Sequence, residues 1–149
     1  MPAALNVALV GYGGAGRVFH APLIAHTPGL RLHTVVSSAP DRVHADHPQA
    51  RVLPTPGEAF ADEAIDLVVI AAPTAVHAPL AIAALQAGHH VLVDKPMATG
   101  LDEAERMFAA ALQAGRLLSV FQNRRHDADF LALRQLLAAG RLGEVVELH

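Results

Sequence analysis

The chain has 149 residues, no cysteine, a net charge of -3 and only 4% aromatic residues. It is long enough for one α/β domain with a buried core, and the lack of thiols in the sequence excludes disulfides and thiolate metal sites and favours the reducing cytoplasm. Interspersed charges argue against nucleic-acid binding, and the first apolar run, Val7 to Val10, is too short for a signal peptide or a membrane span.

Six short apolar runs alternate along the chain with segments of helical period. We predict strands at 5–10, 30–37, 51–53, 66–72, 89–94 and 117–122. This alternation is typical of βαβ units around a parallel sheet. The predicted fold class is therefore α/β, a Rossmann-type doubly wound parallel sheet with helices on both faces.

A glycine-rich turn follows the first predicted strand and comprises Gly11, Tyr12, Gly13, Gly14, Ala15 and Gly16. It fits G-x-G-x-x-G, in which the first glycine permits a tight turn, the second admits a pyrophosphate and the third allows close packing of helix and strand. The phosphates would lie at the N-terminal end of the helix. The pattern predicts dinucleotide binding, and a plain strand-to-helix turn is the alternative. Pro22 predicts that this helix is kinked or divided.

The end of the second predicted strand carries no acidic residue of the kind that holds the ribose hydroxyls of NAD. Ser37 and Ser38 offer hydroxyls and Arg42 offers a guanidinium, groups that suit a 2′-phosphate. We therefore expect NADP(H) in preference to NAD(H). In the alternative, the serines only form a turn, Arg42 is a solvated surface charge, and Asp41 reaches the ribose.

The ends of the fourth and fifth predicted strands border one crevice, because ligands of open parallel sheets bind beyond the carboxyl ends of the strands. Lys95, between Asp94 and Pro96, could stabilise negative charge on a reacting oxygen during hydride transfer. A surface lysine that begins a loop is the alternative. The bond between Lys95 and Pro96 is of the type that can be cis.

Two helices are predicted in the second half of the chain. The first begins after a candidate N-cap at Thr74 and ends at Gly88. Its predicted apolar face comprises Val76, Leu80, Ala83, Ala84 and Ala87. The second begins at a capping box of Thr99 and Asp102 and ends at Gly115. Its predicted apolar face comprises Leu101, Ala104, Phe108, Ala111 and Leu112.

A last helix is predicted from about Asp127 to Gly140, and residues 143–149 alternate like a half-buried strand with nothing after them to pair with. We predict a dinucleotide-binding Rossmann domain at 1–122, and at 123–149 a crossover helix and the first strand of a second α/β domain that is otherwise largely absent. If the chain ends at His149, apolar surface meant for that domain would be exposed and would favour self-association.

Ten histidines raise the question of a metal site. None of them pairs at i and i+4 beside an acidic residue on a clear helix, and His44 and His47 lie in a proline-rich stretch. Because a metal site needs several convergent ligands, we predict none.

Taken together, these residues resemble the Gfo/Idh/MocA oxidoreductases, named for glucose-fructose oxidoreductase and inositol dehydrogenase. The resemblance extends over the whole chain. It rests on 11–16 followed by 19–23, on Pro73 and Thr74 with His77, on 84–91, on 94–96 and on 120–125.

The resemblance implies an N-terminal NAD(P)-binding domain and a second α/β domain that contacts the substrate and forms the oligomer interface. Members oxidise or reduce sugars, inositols and related polyols, which implies a small-molecule substrate and a homo-oligomer through the missing domain. In this family the lysine at the position of Lys95 lies beside the nicotinamide and the reacting oxygen, which makes Lys95 the expected catalytic residue. The other expected cofactor-binding residues at the strand ends are Ala72, Pro73, Thr74, His77, Asp94, Pro96, Gln122 and Asn123.

Two departures from the family pattern affect the expected chemistry. Asp94 stands where the family usually has glutamate, so any hydrogen bond that it makes to the lysine or the cofactor would be rearranged. The family's proton-transferring histidine lies in the second domain and has no counterpart here. We expect the cofactor domain of an NADP(H)-preferring sugar or polyol dehydrogenase; a non-catalytic dinucleotide-binding module, a truncated remnant and a purely structural Rossmann fold are the alternatives.

Overall fold

The structure, a computed structural model, describes residues 3–147 and contains the six predicted strands. The strands are β1 Leu5–Val10, β2 Leu30–Val36, β3 Arg51–Leu53, β4 Leu67–Ile70, β5 His90–Val93 and β6 Leu118–Val120. The bounds of β1 and β3 are as predicted. The other four strands are shorter than predicted, because the residues at their ends have no regular secondary structure.

Helical segments connect the strands. A π-helical turn, Gly16–His20, precedes α1 at Ala21–His26, so the first helix is divided as Pro22 predicts. The remaining helices are α2 Pro40–Asp46, α3 Pro56–Phe60, α4 His77–Gln86, α5 Leu101–Ala114 and α6 Ala128–Ala138. Single 3-10 turns, Thr74–Val76 and Asn123–His126, precede α4 and α6. Between residues 3 and 147, no helix is long and apolar enough to cross a membrane.

All strand pairs are parallel, and the sheet order is β3-β2-β1-β4-β5-β6. The central strand β1 pairs with β2 on one side and with β4 on the other, which places Val10 between Val36 and Ile70. The chain therefore reverses its direction of strand addition next to β1. This is the position at which open α/β sheets bind ligands, beyond the carboxyl ends of the strands.

Two hydrophobic clusters cover the two faces of the sheet. Val7 and Leu9 of β1 pack in the cluster that includes α1 and α2, whereas Ala8 and Val10 pack in the cluster that includes α3, α4 and α5. Helices on both faces bury both sides of residues 7–10 of β1 and nearly all of β4, which explains why these two segments are continuous apolar runs. The predicted fold class is confirmed.

The predicted apolar face of α4 is wrong. The buried residues of this helix are His77, Ala78, Ala81, Ala84 and Leu85, and only Ala84 belongs to the predicted set. Because α4 is apolar almost all the way round, its periodicity did not identify the buried side. No side chain caps the helix, and Thr74 instead begins the 3-10 turn that precedes it.

The predicted apolar face of α5 is wrong for its large residues, and only Ala111 of the predicted set is buried. Leu101, Phe108 and Leu112 are 72%, 57% and 85% exposed, and the helix is buried through Met107, Ala110 and Ala111. The capping contact differs as well. Thr99 donates its N–H and its Oγ1–H to Glu103 Oε2, over 2.9 and 2.7 Å, in place of the predicted contact with Asp102.

The predicted strand at 143–149 does not form within the residues that are described. Residues 143–147 have no regular structure, because a strand needs a pairing partner and this segment has none among residues 3–147. Leu148 and His149 lie outside the described residues. The assignment of 123–149 to a second domain stays a prediction.

Candidate functional site

The glycine turn follows β1 at the centre of the sheet. Gly11 has φ +100°, and a Cβ there would collide with the carbonyl group of Ala71. A Cβ on Gly16 would collide with the carbonyl oxygen of Gly11, so both of these glycines are required by close backbone packing. Gly13 and Gly14 are exposed, and a Cβ on either would meet no atom beyond its neighbours within 4 Å. The open space lies where the sequence predicts a pyrophosphate.

Tyr12 connects the glycine turn to α2. Its side chain is 6% exposed, and its hydroxyl donates to Asp46 Oδ2 over 2.9 Å. Arg17 donates to the same carboxylate through Nε, over 2.7 Å. Burial and the Asp46 hydrogen bond raise the pKa of Tyr12 to about 12, and hydrogen bonding to Arg17 lowers the pKa of Asp46. The buried side chain of Tyr12 thus anchors the glycine turn to α2.

A cavity of about 440 Å³ opens above the turn, within the size range of small-molecule sites. It is lined by Val10, Gly11, Tyr12, Gly13, Val36, Ser37, Ser38, Ala39, Arg42, Pro54, Pro56, Ala72 and Leu80. The structure therefore brings the predicted pyrophosphate residues and the predicted 2′-phosphate residues to one cavity. Ala15 does not line this cavity and is partly buried against the core.

The end of β2 has features of both interpretations of its sequence, the 2′-phosphate site and the simple turn. Ser37 Oγ accepts the N–H of Ala39 over 3.1 Å, so this serine does stabilise a turn. Ser38 and Arg42 are exposed, and Arg42 makes no hydrogen bond or ion pair within residues 3–147. Asp41 is exposed in the same turn of α2. The Ser38 hydroxyl and the Arg42 guanidinium are accessible to a ligand, and the Asp41 carboxylate is close to them in sequence.

His77 joins the ends of β4 and β5. Its ring is 1% exposed, with Nδ1 2.9 Å from the carbonyl oxygen of Pro96 and Nε2 2.8 Å from that of Ala72. Pro73 and Thr74 form the turn between Ala72 and this ring. His77 therefore contacts both loops, and whichever ring nitrogen carries the N–H donates it to a carbonyl oxygen.

Asp94 and Lys95 follow β5 directly. Asp94 donates its N–H to Ile70 over 2.9 Å, and its Oδ1 accepts the N–H of Lys95 over 2.8 Å. The peptide bond between Lys95 and Pro96 is cis. Lys95 is the only lysine of the sequence, is exposed, and has no side-chain partner in the part of the chain that the structure describes.

Gln122 and Asn123 do not reach the cavity of the glycine turn. They line a second cavity of about 390 Å³ at the β6 edge of the sheet, together with Leu92, Ser119, Val120, Phe121, Arg125 and His126. The two cavities share no residue. A role of Gln122 and Asn123 in cofactor binding stays a prediction.

His20 is a buried residue of this region that the sequence did not single out. It ends the π-helical turn, is 2% exposed, and lies against Phe121 with the ring centroids 4.4 Å apart. Nε2 has no hydrogen-bond partner and lies 3.8 Å from Asp94 Oδ2. Burial lowers the pKa of His20, and the nearby Asp94 carboxylate opposes that shift. The one indication in the sequence was that His20 lies in segment 19–23, on which the family resemblance partly rests.

No group of three or more histidine, aspartate or glutamate side chains that could hold a metal ion occurs within residues 3–147. The arrangement suits a dinucleotide: two exposed glycines for phosphates, unpaired donors at the β2 end, and a lysine at the β5 end. Each of these features lies at a carboxyl end of a central strand, which is the geometry of a Rossmann site.

Comparisons with known proteins agree with this geometry. Residues 5–122 match the Gfo/Idh/MocA oxidoreductase family, an NAD-binding Rossmann fold. The uncharacterized oxidoreductase YdgJ of Escherichia coli is 52% identical over 95% of this chain and 41% of its own length. The scyllo-inositol 2-dehydrogenase (NADP(+)) IolW of Bacillus subtilis is 37% identical over 95% of this chain and 39% of its own length.

A solved oxidoreductase structure from Yersinia pestis superimposes with a TM-score of 0.95 at 52% identity, over 98% of this chain and 42% of that one. The chain thus spans about two fifths of the length of the curated relatives. The chain belongs to the Gfo/Idh/MocA oxidoreductase family, and its six-stranded sheet is the NAD-binding Rossmann fold of that family.

Proposed function

We propose that this chain is the cofactor-binding part of an NADP(H)-preferring dehydrogenase that acts on a hydroxyl or carbonyl carbon of a sugar or polyol. The observation that carries the proposal is the single cavity that Gly11, Gly13 and Arg42 share with Ser37 and Ser38. Several relatives are named inositol 2-dehydrogenases, and one of them, IolW, is named for NADP(+). Those names support the substrate class and the cofactor.

Gly13 and Gly14 would hold the pyrophosphate. Both are exposed, and no side chain lies over them, so a phosphate can approach the backbone closely. The collisions that Cβ atoms would cause at Gly11 and Gly16 keep the turn tight. The residues present therefore fit the group that the family implies.

Arg42 and the two serines would bind the phosphate on the adenosine ribose. A guanidinium without an internal partner keeps its donors for a ligand, and charge-assisted contacts to phosphate are stronger than neutral ones. Asp41 on the same turn is the group that would favour the unphosphorylated ribose instead. The two assignments predict opposite cofactor preferences.

Lys95 would stabilise the charge that develops on the reacting oxygen. When bound, the nicotinamide supplies or accepts the hydride. The ammonium of Lys95 is exposed at the end of β5, and nothing among the described residues neutralises it. His77 would act on the same loop by holding the carbonyl of Pro96.

We extend the proposal to the organisation of the protein: a Rossmann domain at 1–122 and the beginning of a substrate domain at 123–149. The family match ends at residue 122, and the relatives are more than twice as long as this chain. The small-molecule substrate would be bound, and a homo-oligomer formed, through that second domain. A cytoplasmic location fits a sequence without cysteine.

The test is a side-by-side titration of this polypeptide with NADPH and NADH, followed by nicotinamide fluorescence or by heat. We expect tighter binding of NADPH. Because a hydrogen bond to a charged group contributes about 1.5–3 kcal/mol, Arg42→Ala should weaken NADPH binding by about 10- to 100-fold and leave NADH binding nearly unchanged.

Two further variants serve as controls. Gly13→Ala should weaken both cofactors without loss of stability, because its Cβ would occupy only the open space above the turn. Tighter binding of NADH, with sensitivity to Asp41→Ala and none to Arg42→Ala, would overturn the NADP(H) assignment. Failure of both cofactors to bind would contradict the site itself.

A further inference from the structure

The buried ring of His20 lies against Phe121 and faces Asp94, the residue before Lys95. It reaches this position from the π-helical turn, a local irregularity that is frequent at functional sites. Nε2 is shielded from solvent and has no partner. An unsatisfied buried polar atom is unfavourable in a folded protein, so its persistence calls for an explanation.

Asp94 is the polar group that this nitrogen faces. Its Oδ1 accepts the N–H of Lys95, and its backbone N–H is bound to Ile70 on the neighbouring strand. Oδ2 remains, 3.8 Å from His20 Nε2. A small rotation of the carboxylate would bring Oδ2 within hydrogen-bonding distance, because N–H···O bonds span roughly 2.7–3.2 Å.

We propose that His20 is a positioning residue for Lys95: it donates Nε2–H to Asp94 Oδ2 and so holds the carboxylate away from the Lys95 ammonium. The ammonium then stays free to face the reacting oxygen, which is the role that rests on the proposed function. The link from His20 through Asp94 to Lys95 involves described residues of this chain and needs no second domain.

The surroundings of His20 favour a neutral donor. Burial lowers the pKa of His20, and Phe121 covers one side of its ring. A neutral imidazole carries one N–H, and the tautomer with that proton on Nε2 gives Asp94 a donor without a second positive charge beside Lys95. The carboxylate is then held from both sides, by Lys95 N–H at Oδ1 and by His20 at Oδ2.

The experiment uses Lys95 as its own reporter, because the chain has no other lysine. Trinitrobenzenesulfonate reacts with the free amine, and mass spectrometry of the Lys95 peptide separates that product from the labelled N-terminus. His20→Phe removes the donor but keeps a ring, which frees the carboxylate to pair with the ammonium. We expect the rate of Lys95 labelling to fall by about twofold or more. A twofold change corresponds to the weakest interaction free energies that are found between residues in contact. His20→Gln, which keeps a donor, should restore the original rate.

The decisive comparison is the same substitution in an Asp94→Asn background. If His20 acts through the carboxylate, His20→Phe has no effect on labelling once Asp94 is replaced. His89→Gln, at the other end of the sheet, is the control for loss of a buried histidine, and circular dichroism checks that each variant is folded. An unchanged rate in His20→Phe, or an equal change in both backgrounds, would overturn the proposal. Labelling needs no cofactor, so a failure of NADPH binding is a separate result.

Discussion

At the scale of single residues, Tyr12 is a spectroscopic probe of the glycine turn. It is the only tyrosine, and the sequence has no tryptophan, so tyrosinate absorbance reports this hydroxyl alone. Its pKa is raised from 10.0 to about 12, first by burial and then by Asp46. We expect the native chain, read immediately after a pH jump, to titrate near pH 12 and the denatured chain near pH 10.

The sign of the accompanying stability change follows from linkage. The folded state favours the protonated hydroxyl, so this contribution to stability is present below pH 10 and is lost as the pH rises towards 12. Asp46→Asn should lower the native midpoint but leave it above the denatured one, because burial is the larger cause. A native midpoint equal to the denatured one would contradict the buried Tyr12 of this structure.

Residue roles could be predicted where backbone geometry alone decides them. The tight turn at Gly11 and the close approach at Gly16 follow from the spacing of the motif. The partners of the two buried histidines could not be predicted, because they depend on how distant loops meet. Asp94 lies 74 positions after His20, and Pro96 lies 19 positions after His77. The direction in which a buried imidazole points is a tertiary property.

At the scale of elements, α5 shows how a correct helix can be given the wrong face. Two stripes share its surface, a bulky one through Leu101, Phe108 and Leu112 and a narrow one through Met107, Ala110 and Ala111. The narrow stripe packs on α4, where alanines allow the helices to approach closely. The helical spacing of the large apolar residues therefore indicated the side that is exposed.

The two stripes predict opposite responses to truncation. Met107→Ala should lower the free energy of unfolding by about 2–5 kcal/mol, because it opens a cavity at a fully buried site. Leu112→Ala, at a site 85% exposed, should change it by no more than about 0.5 kcal/mol. Urea denaturation measures both. Greater destabilisation by Leu112→Ala would restore the face expected from the sequence.

At the scale of the whole molecule, the exposed stripe of α5 gives the polypeptide an apolar surface that favours association. Leu101, Phe108 and Leu112 share one side of the helix, and contiguous exposed apolar patches mark contact sites. We expect the 149-residue chain to self-associate with increasing concentration in sedimentation velocity. Replacing both Phe108 and Leu112 by glutamate should reduce this association. A single monomer at every concentration would contradict the expectation.

The architecture was the most predictable level. Apolar runs separated by helical segments specify a parallel sheet, and the right-handed crossover restricts the order in which strands are added. The segment after residue 140 was the least predictable, because a strand pattern becomes a strand only beside a partner. Residues 143–147 have the alternating pattern but no partner strand among residues 3–147.

The sheet order divides the protein into two continuous stretches of sequence. Residues 5–60 supply β1, β2 and β3 with the glycine turn, Ser37 and Arg42, whereas residues 67–120 supply β4, β5 and β6 with His77 and Lys95. The strands of the two stretches pair only along β1 and β4. The residues proposed for coenzyme choice and those proposed for chemistry therefore lie in two separate, continuous stretches of sequence. A single recombination junction at 61–66 would exchange the stretch proposed for coenzyme choice and leave His77 and Lys95 in place, provided that the new stretch keeps a histidine at position 20 to face Asp94.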